Sequence, residues 1–210
     1  MATFGELRTE VLRNAKQSVN GDLVVDANLA INDAIAWYAP RALEFNEGFS
    51  TIATVDGVPD YPFPDDMLMI THAQLFWGGQ NFTTLVKRNW QWYLDINQDA
   101  SNLRSVPSTY YAVHRKRIFL YPTPSVSTAR IDLYYTIKID PLVADDDTNV
   151  FTENARLLIR SRALYDLYSN RLQQADQAKV SKGFEQWEYT RLTEISSANL
   201  GDEQLEPFRF

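Results

Sequence analysis

Arg130-Ile131-Asp132-Leu133-Tyr134-Tyr135-Thr136-Ile137-Lys138-Ile139 decides the fold class. Ile131, Leu133, Tyr135, Ile137 and Ile139 alternate with Arg130, Asp132, Tyr134, Thr136 and Lys138. Strict period-two alternation predicts a half-buried strand with one wet face. The segments before it carry the same signature, so residues 48–140 read as a β-rich insertion. Val55-Asp56-Gly57-Val58 is a turn signal between two short strands. Tyr61-Pro62-Phe63-Pro64 cannot be a central strand, because each proline removes a ladder donor. Met67 to Trp77 reads as a strand, turning at Gly78-Gly79 into Phe82–Val86. Asn89 to Ile96 reads as a short helix. Ser108–Val113 and Arg117–Tyr121 read as a hairpin with the basic pair Arg115-Lys116 at its tip.

Outside this insertion the period changes to that of a helix. Thr3 and Glu6 have capping-box spacing, and Phe4, Leu7, Val11 and Ala15 follow at helical intervals. Asn20-Gly21-Asp22 predicts the break before a second helix. Its stripe runs through Ile31, Ala34, Ile35, Tyr38, Ala42 and Phe45, with a kink or short break expected at Pro40. Beyond the strand, Leu157, Leu164, Tyr168 and Leu172 predict the core face of one helix. Phe184, Trp187, Leu192 and Ile195 predict that of another. The expected class is α+β: a helical bundle built from both termini, with an inserted antiparallel β-sheet or sandwich region. The expected parts are N-terminal bundle helices over 1–47, the insertion over 48–140, C-terminal bundle helices over 141–200, and an extended tail over 201–210.

Composition narrows the function. Hydrophobic residues make up 45% and charged residues 22% of the 210, as in globular chains that bury a core without staples. Cysteine is absent, which excludes disulfides, thiolate nucleophiles and Cys-based metal sites. Net charge is −7, a poor basis for gripping nucleic acid through its phosphates. An acidic wall suits a path along which DNA slides without sticking. No apolar leader segment and no membrane span stand out, so the chain reads as soluble.

The search for chemistry returns little. His72 and His114 have no metal-ligand spacing around them. There is no P-loop, dinucleotide fingerprint or nucleophile elbow. Asp65-Asp66 and Asp145-Asp146-Asp147 are carboxylate clusters of the kind a glycosidase pairs across a cleft. Adjacent loop acids more often face water or serve a helix N-terminus, and Asp145–Asp147 precede a helix that Thr148 or Thr152 would cap. Trp90, Trp92 and Tyr93 offer a stacking platform for sugars or bases, or a packing cluster. The reading is of a non-enzyme, with no catalytic, cofactor or metal site.

The order of certain segments resembles the head-to-tail adaptor proteins of tailed bacteriophages, also called head completion or tail tubular A-type connectors. Leu29-Ala30-Ile31-Asn32-Asp33-Ala34 resembles the family's second helix. Thr54 to Asp66 resembles its turn, Tyr, Pro, acidic entry into the sheet. Pro107 to Val113 and Arg117 to Pro124 resemble its central hairpin and Pro-x-Pro exit. Leu133-Tyr134-Tyr135, Pro141-Leu142 and Thr148-Asn149 resemble its last strand and the return to helices.

This resemblance implies a structural virion protein at the head–tail junction, assembled in the host cytoplasm. It implies a ring, commonly of twelve subunits, that joins the portal protein ring to tail tube or nozzle proteins. Double-stranded DNA would pass through without specific binding, and no membrane or cofactor is involved. The C-terminal tail, with Leu205, Pro207, Phe208, Arg209 and Phe210, would dock on the portal. Trp90, Trp92, Arg115 and Lys116 are candidates for a tail-protein or subunit interface. The alternatives are a tail-associated peptidoglycan hydrolase using Asp65 and Asp66, and a monomeric binding module.

Overall fold

A computed structural model describes residues 2–15, 21–79, 81–99 and 107–199. Two compact units emerge, one from residues 1–46 with 139–210, the other from 47–138.

The helical unit starts with α1 (Phe4–Asn14). Thr3 Oγ1 accepts from the Glu6 amide and Glu6 Oε2 from the Thr3 amide, at 3.3 and 3.2 Å, the expected reciprocal cap. Its stripe Phe4, Leu7, Val11 is buried. α1 ends earlier than the Asn20-Gly21-Asp22 signal, and α2 (Gly21–Tyr38) already includes Gly21 and Asp22. Ala27, Ile31, Ala34, Ile35 and Tyr38 form its buried face. The stripe stops there. Pro40 ends the helix rather than kinking it, because the residue before a proline is pushed out of the helical region. Ala42 is consequently exposed, and Leu43 takes the core position. Buried Asn46 holds this turn: its Nδ2 donates to the Ala39 and Arg41 carbonyls and its Oδ1 accepts from the Leu43 amide.

The chain returns through α4 (Val150–Asn154), α5 (Arg156–Asn170) and α6 (Ala175–Asn199). Asn149, not Thr148, caps α4. Its Oδ1 accepts from the Phe151 and Thr152 amides, while Thr152 Oγ1 accepts from the Asn149 amide. α5 runs through the centre, against α1, α2, α4 and α6. Leu158, Ile159 and Leu167 carry its core side, and Leu157 is exposed, against expectation.

The β unit is a sandwich whose two sheets share one core. The first has the order β1 (Glu47–Ala53), β8 (Arg130–Ile137), β3 (Met67–Trp77), β4 (Asn81–Thr84). The second has the order β2 (Asp60–Pro62), β7 (Arg117–Tyr121), β6 (Tyr110–His114), β5 (Val86–Arg88). Ile131, Leu133 and Tyr135 of β8 meet Ile118 and Leu120 of β7 in the shared core. The proline-bearing β2 is an edge strand, as its missing donors require. Phe82–Val86 is not one strand: the chain crosses between sheets at Leu85. β5 pairs parallel to β6, so the second sheet is mixed. Parallel neighbours need a crossover, and α3 (Trp90–Asp99) supplies it. At the β6–β7 hairpin tip Arg115 and Lys116 both have positive φ, 47° and 57°, as a two-residue hairpin turn demands.

β8 departs from the alternation in one respect. Asp132 and Thr136, on the predicted wet face, are buried, because β8 lies between β1 and β3 rather than at an edge. Thr51, its register partner on β1, donates to Asp132 at 3.0 Å, and Arg130 pairs with the same carboxylate.

Candidate functional site

The features that separate this chain from a self-contained globule lie on α6. Positions 178, 181, 185, 188, 192 and 196 recur at helical spacing and face the bundle. They hold Ala, Ser, Glu, Glu, Leu and Ser. The large apolar residues are on the other side. Phe184 is 61% exposed and Trp187 62%, with Val180, Ile195 and Leu157 of α5 beside or beyond them. The predicted core face of α6 is therefore an outer face, with Leu192 alone of the four buried.

Buried carboxylates persist only when partnered. Glu185 accepts from the Tyr38 hydroxyl at 2.5 Å, Lys182 Nζ at 2.9 Å and Arg162 Nη1 at 3.4 Å. Burial, reinforced by Glu185, pushes the Tyr38 phenol far above its ordinary value, so it stays a donor. Glu188 accepts from Arg191 Nε and Nη2 at 2.8 and 2.6 Å. Burial raises the Asp166 carboxyl, against the pull of Arg162 and with help from Glu185 and Asp33. Small residues at 178, 181 and 196 let α6 lie close to its neighbours, which suits this polar seam.

The outward aromatics rim a groove floored by Leu157, Arg160, Ser161, Leu164 and Tyr168 of α5. Gly183 sits among Val180, Phe184 and Trp187, and a Cβ there would meet nothing within 4 Å. α2 presents a second apolar stripe, with Val25, Leu29 and Trp37 about half exposed. The Arg162 and Arg41 guanidiniums lie 4.6 and 4.8 Å from the Trp37 ring centroid. In the β unit the outer side of the first sheet carries exposed aromatics. Phe49 meets Tyr134 at 5.1 Å, His72 meets Tyr134 at 5.9 Å and Phe76 meets Phe82 at 5.5 Å. Patches of this kind mark contact surfaces.

The residues proposed from sequence are dispersed. Trp90 and Trp92 are half-buried and pack α3 on the second sheet. Trp90 stacks on His114 at 4.3 Å, and Trp92 meets Tyr110 and Tyr121. Arg115 and Lys116 are exposed at the hairpin tip. Asp66 accepts from the Tyr135 hydroxyl at 3.0 Å, at the entry to β3 and on the other sheet from the tryptophans. Asp145 is bidentate with Arg8, and its carbonyl accepts from the Gly5 amide. Asp147 accepts from the Val143 and Ala144 amides, and its carbonyl from the Phe4 amide. Arg8 holds the Asp145 carboxyl, and the Val143 and Ala144 amides hold the Asp147 carboxyl, below the ordinary range. The acidic loop thus serves the first turn of α1 instead of the helix that follows it. Leu205, Pro207, Phe208, Arg209 and Phe210 lie outside the described residues. Among the described residues no group of three or more His, Asp or Glu is placed to hold a metal. None of the described helices is long and apolar enough to cross a membrane.

The motifs that carried the resemblance stitch the fold. Asn32 exchanges two hydrogen bonds with the Leu142 backbone, at 2.9 and 3.1 Å, tying the α2 motif to the Pro141-Leu142 return. The Tyr61 hydroxyl accepts from the Val55 amide and donates to the Val58 carbonyl, closing the Asp56-Gly57 turn.

Polar side chains are committed to stitching, and aromatic side chains are turned outward, as on surfaces that meet a partner. The chain belongs to the SU10 adaptor protein family, whose sequence model matches residues 2–206. That family is one of phage head–tail adaptors, so the protein is a structural component of a phage. No curated protein matches the chain.

Proposed function

We propose that this protein forms a ring that joins the portal to the tail and extends the DNA channel, acting by contact and without catalysis. The observation that carries this reading is the pair of apolar faces, on α2 and on α6, that stand exposed among the described residues of the helical unit. A protein whose work is assembly leaves such faces open until its neighbours arrive. The tail 201–210, with Leu205, Phe208 and Phe210 as apolar anchors, docks on the portal ring. The hairpin tip Arg115-Lys116 and the aromatic sheet face meet tail tube or nozzle proteins. The net charge of −7 favours a wall that repels phosphate, so double-stranded DNA passes without specific binding. Assembly takes place in the host cytoplasm, and the finished ring sits at the head–tail junction of the virion.

Native mass spectrometry of the protein alone, then with the portal ring of the same phage, tests this. The expected result is addition of copies to the portal in a fixed multiple of its symmetry. A portal shown to be intact that takes up no copies overturns the reading.

A further inference from the structure

The two apolar faces of the helical unit lie on opposite sides of α5. Arg160, Leu164 and Tyr168 line the groove beside α6, while Arg162, Asp166 and Asn170 line the groove beside α2. Each member of the second set follows one of the first by two residues, a rotation of roughly 200° about a helix. One copy therefore offers two different surfaces pointing apart.

We propose that these surfaces are the two halves of one contact between copies: the α2 stripe of one copy seats in the α5–α6 groove of the next, with Trp37 over Gly183. The occupant is a second copy of this chain, and the proposal rests on the ring reading above. Three observations support it. First, the lengths match. Val25 and Trp37 are roughly 18 Å apart along α2, and Gln177 and Glu188, the ends of the groove on α6, roughly 17 Å, at about 1.5 Å per residue. Second, each side carries charges that the other can answer. Exposed Asp22 and Asp33 border the α2 stripe beside Arg41 and Arg162, whereas Arg160, paired with Glu10, and exposed Lys179, paired with Asp176, border the groove. Third, nothing among the described residues requires glycine at position 183. It lies mid-helix, where glycine is disfavoured against alanine, and open space lies over it. The gap is bordered by Val180, Phe184 and Trp187, a hole of the kind that receives a neighbour's large side chain. A contact made from two different patches repeats head to tail, and gives a ring where the rotation between copies closes. A self-complementary patch would give a two-fold dimer instead.

The test uses two variants of the full chain. Gly183→Arg fills the hole and leaves the α2 stripe intact. Trp37→Ser removes the knob and leaves the groove intact. Both residues face solvent, so thermal melting close to that of the wild type checks that each variant folds. Self-association is read by native mass spectrometry over a concentration series, and on the portal ring. Each variant alone is expected to self-associate at least about ten-fold more weakly than the wild type. An equimolar mixture is expected to form one-to-one pairs and nothing larger, since one intact knob meets one intact groove and neither free end can extend. If both variants associate like the wild type, this pairing of faces is wrong and the ring stands. Homodimers of either variant in place of mixed pairs overturn it in favour of a self-complementary contact. If the wild type itself makes no contact between copies in either setting, the ring reading fails, and this inference with it.

Discussion

Strand β8 and helix α6 both carry a clean apolar period, and the period means opposite things in the two. In β8 the apolar set Ile131, Leu133 and Tyr135 points into the sandwich core, where each residue is at most 3% exposed. In α6 the set Phe184, Trp187 and Ile195 points to solvent, and the bundle receives Glu185 and Glu188 instead. The sandwich is filled from within its own unit. The helical unit keeps apolar surface in reserve, which is what an assembling protein needs. Periodicity therefore reports which residues share a face; it does not report whose core that face enters.

The contrast can be broken from either side. Tyr135→Asp is the larger perturbation. It sets a buried carboxylate near Asp66, whose own carboxylate loses the Tyr135 hydroxyl donor. We expect a loss of about 4 kcal/mol or more, enough to unfold the β unit, read by urea denaturation. Unchanged stability would mean that the inner and outer faces of β8 are reversed. Glu185→Ala comes next. It strands the Tyr38 hydroxyl and removes a partner of Arg162 inside the bundle, for an expected loss of about 3 kcal/mol. If the variant melts with the wild type, the polar seam is not what holds α6. Asp166→Asn probes the same seam through pH. Burial raises the Asp166 carboxyl in the folded state, so the native protein binds that proton more tightly than the unfolded chain. Stability from this group therefore falls as pH rises from the ordinary carboxylate value through the raised one. Asparagine does not titrate, so the stability of the variant relative to wild type should rise across that window and level off above it. A constant difference between pH 3 and 7 would exclude the shift.

Much of this fold was legible because local rules and tertiary packing agree. The Thr3–Glu6 cap, the Met67–Trp77 strand, the edge position of the Tyr61-Pro62 segment and the Arg115-Lys116 tip all follow from backbone chemistry within a few residues. The misreadings within the sheets share one cause, a neighbour that the sequence does not reveal. Thr136 and Asp132 are buried because β1 and β3 flank β8. Phe82–Val86 divides because the chain changes sheet at Leu85, and β5 runs parallel because α3 makes the crossover. The contact faces were hardest to see, since Val25, Leu29, Trp37, Phe184 and Trp187 look like core. The available signal was the other face of α6. Ala178, Ser181 and Ser196 with two glutamates at helical spacing form a second candidate seam, and Gly183 falls in the middle of the apolar one.

The two remaining substitutions have small effects of informative sign. Thr136→Val acts on the buried hydroxyl of β8, which has no hydrogen-bond partner among the described residues. Replacing an unsatisfied polar group by a methyl in the same shape should raise stability by about 1 kcal/mol, and a loss instead would mean that a partner such as bound water serves that hydroxyl. Phe184→Ser should change the stability of the isolated chain by about 0.5 kcal/mol or less. The side chain is 61% exposed, and serine and phenylalanine have similar helix propensities, so neither burial nor backbone preference opposes the change. Buried core phenylalanines lose about 3–5 kcal/mol on truncation, so the two roles are well separated by one melting curve. A drop of that size would return Phe184 to the core of its own subunit. A flat result, against the large loss in Glu185→Ala one residue along the same helix, would establish that α6 folds on its polar side and keeps its aromatic side for another molecule.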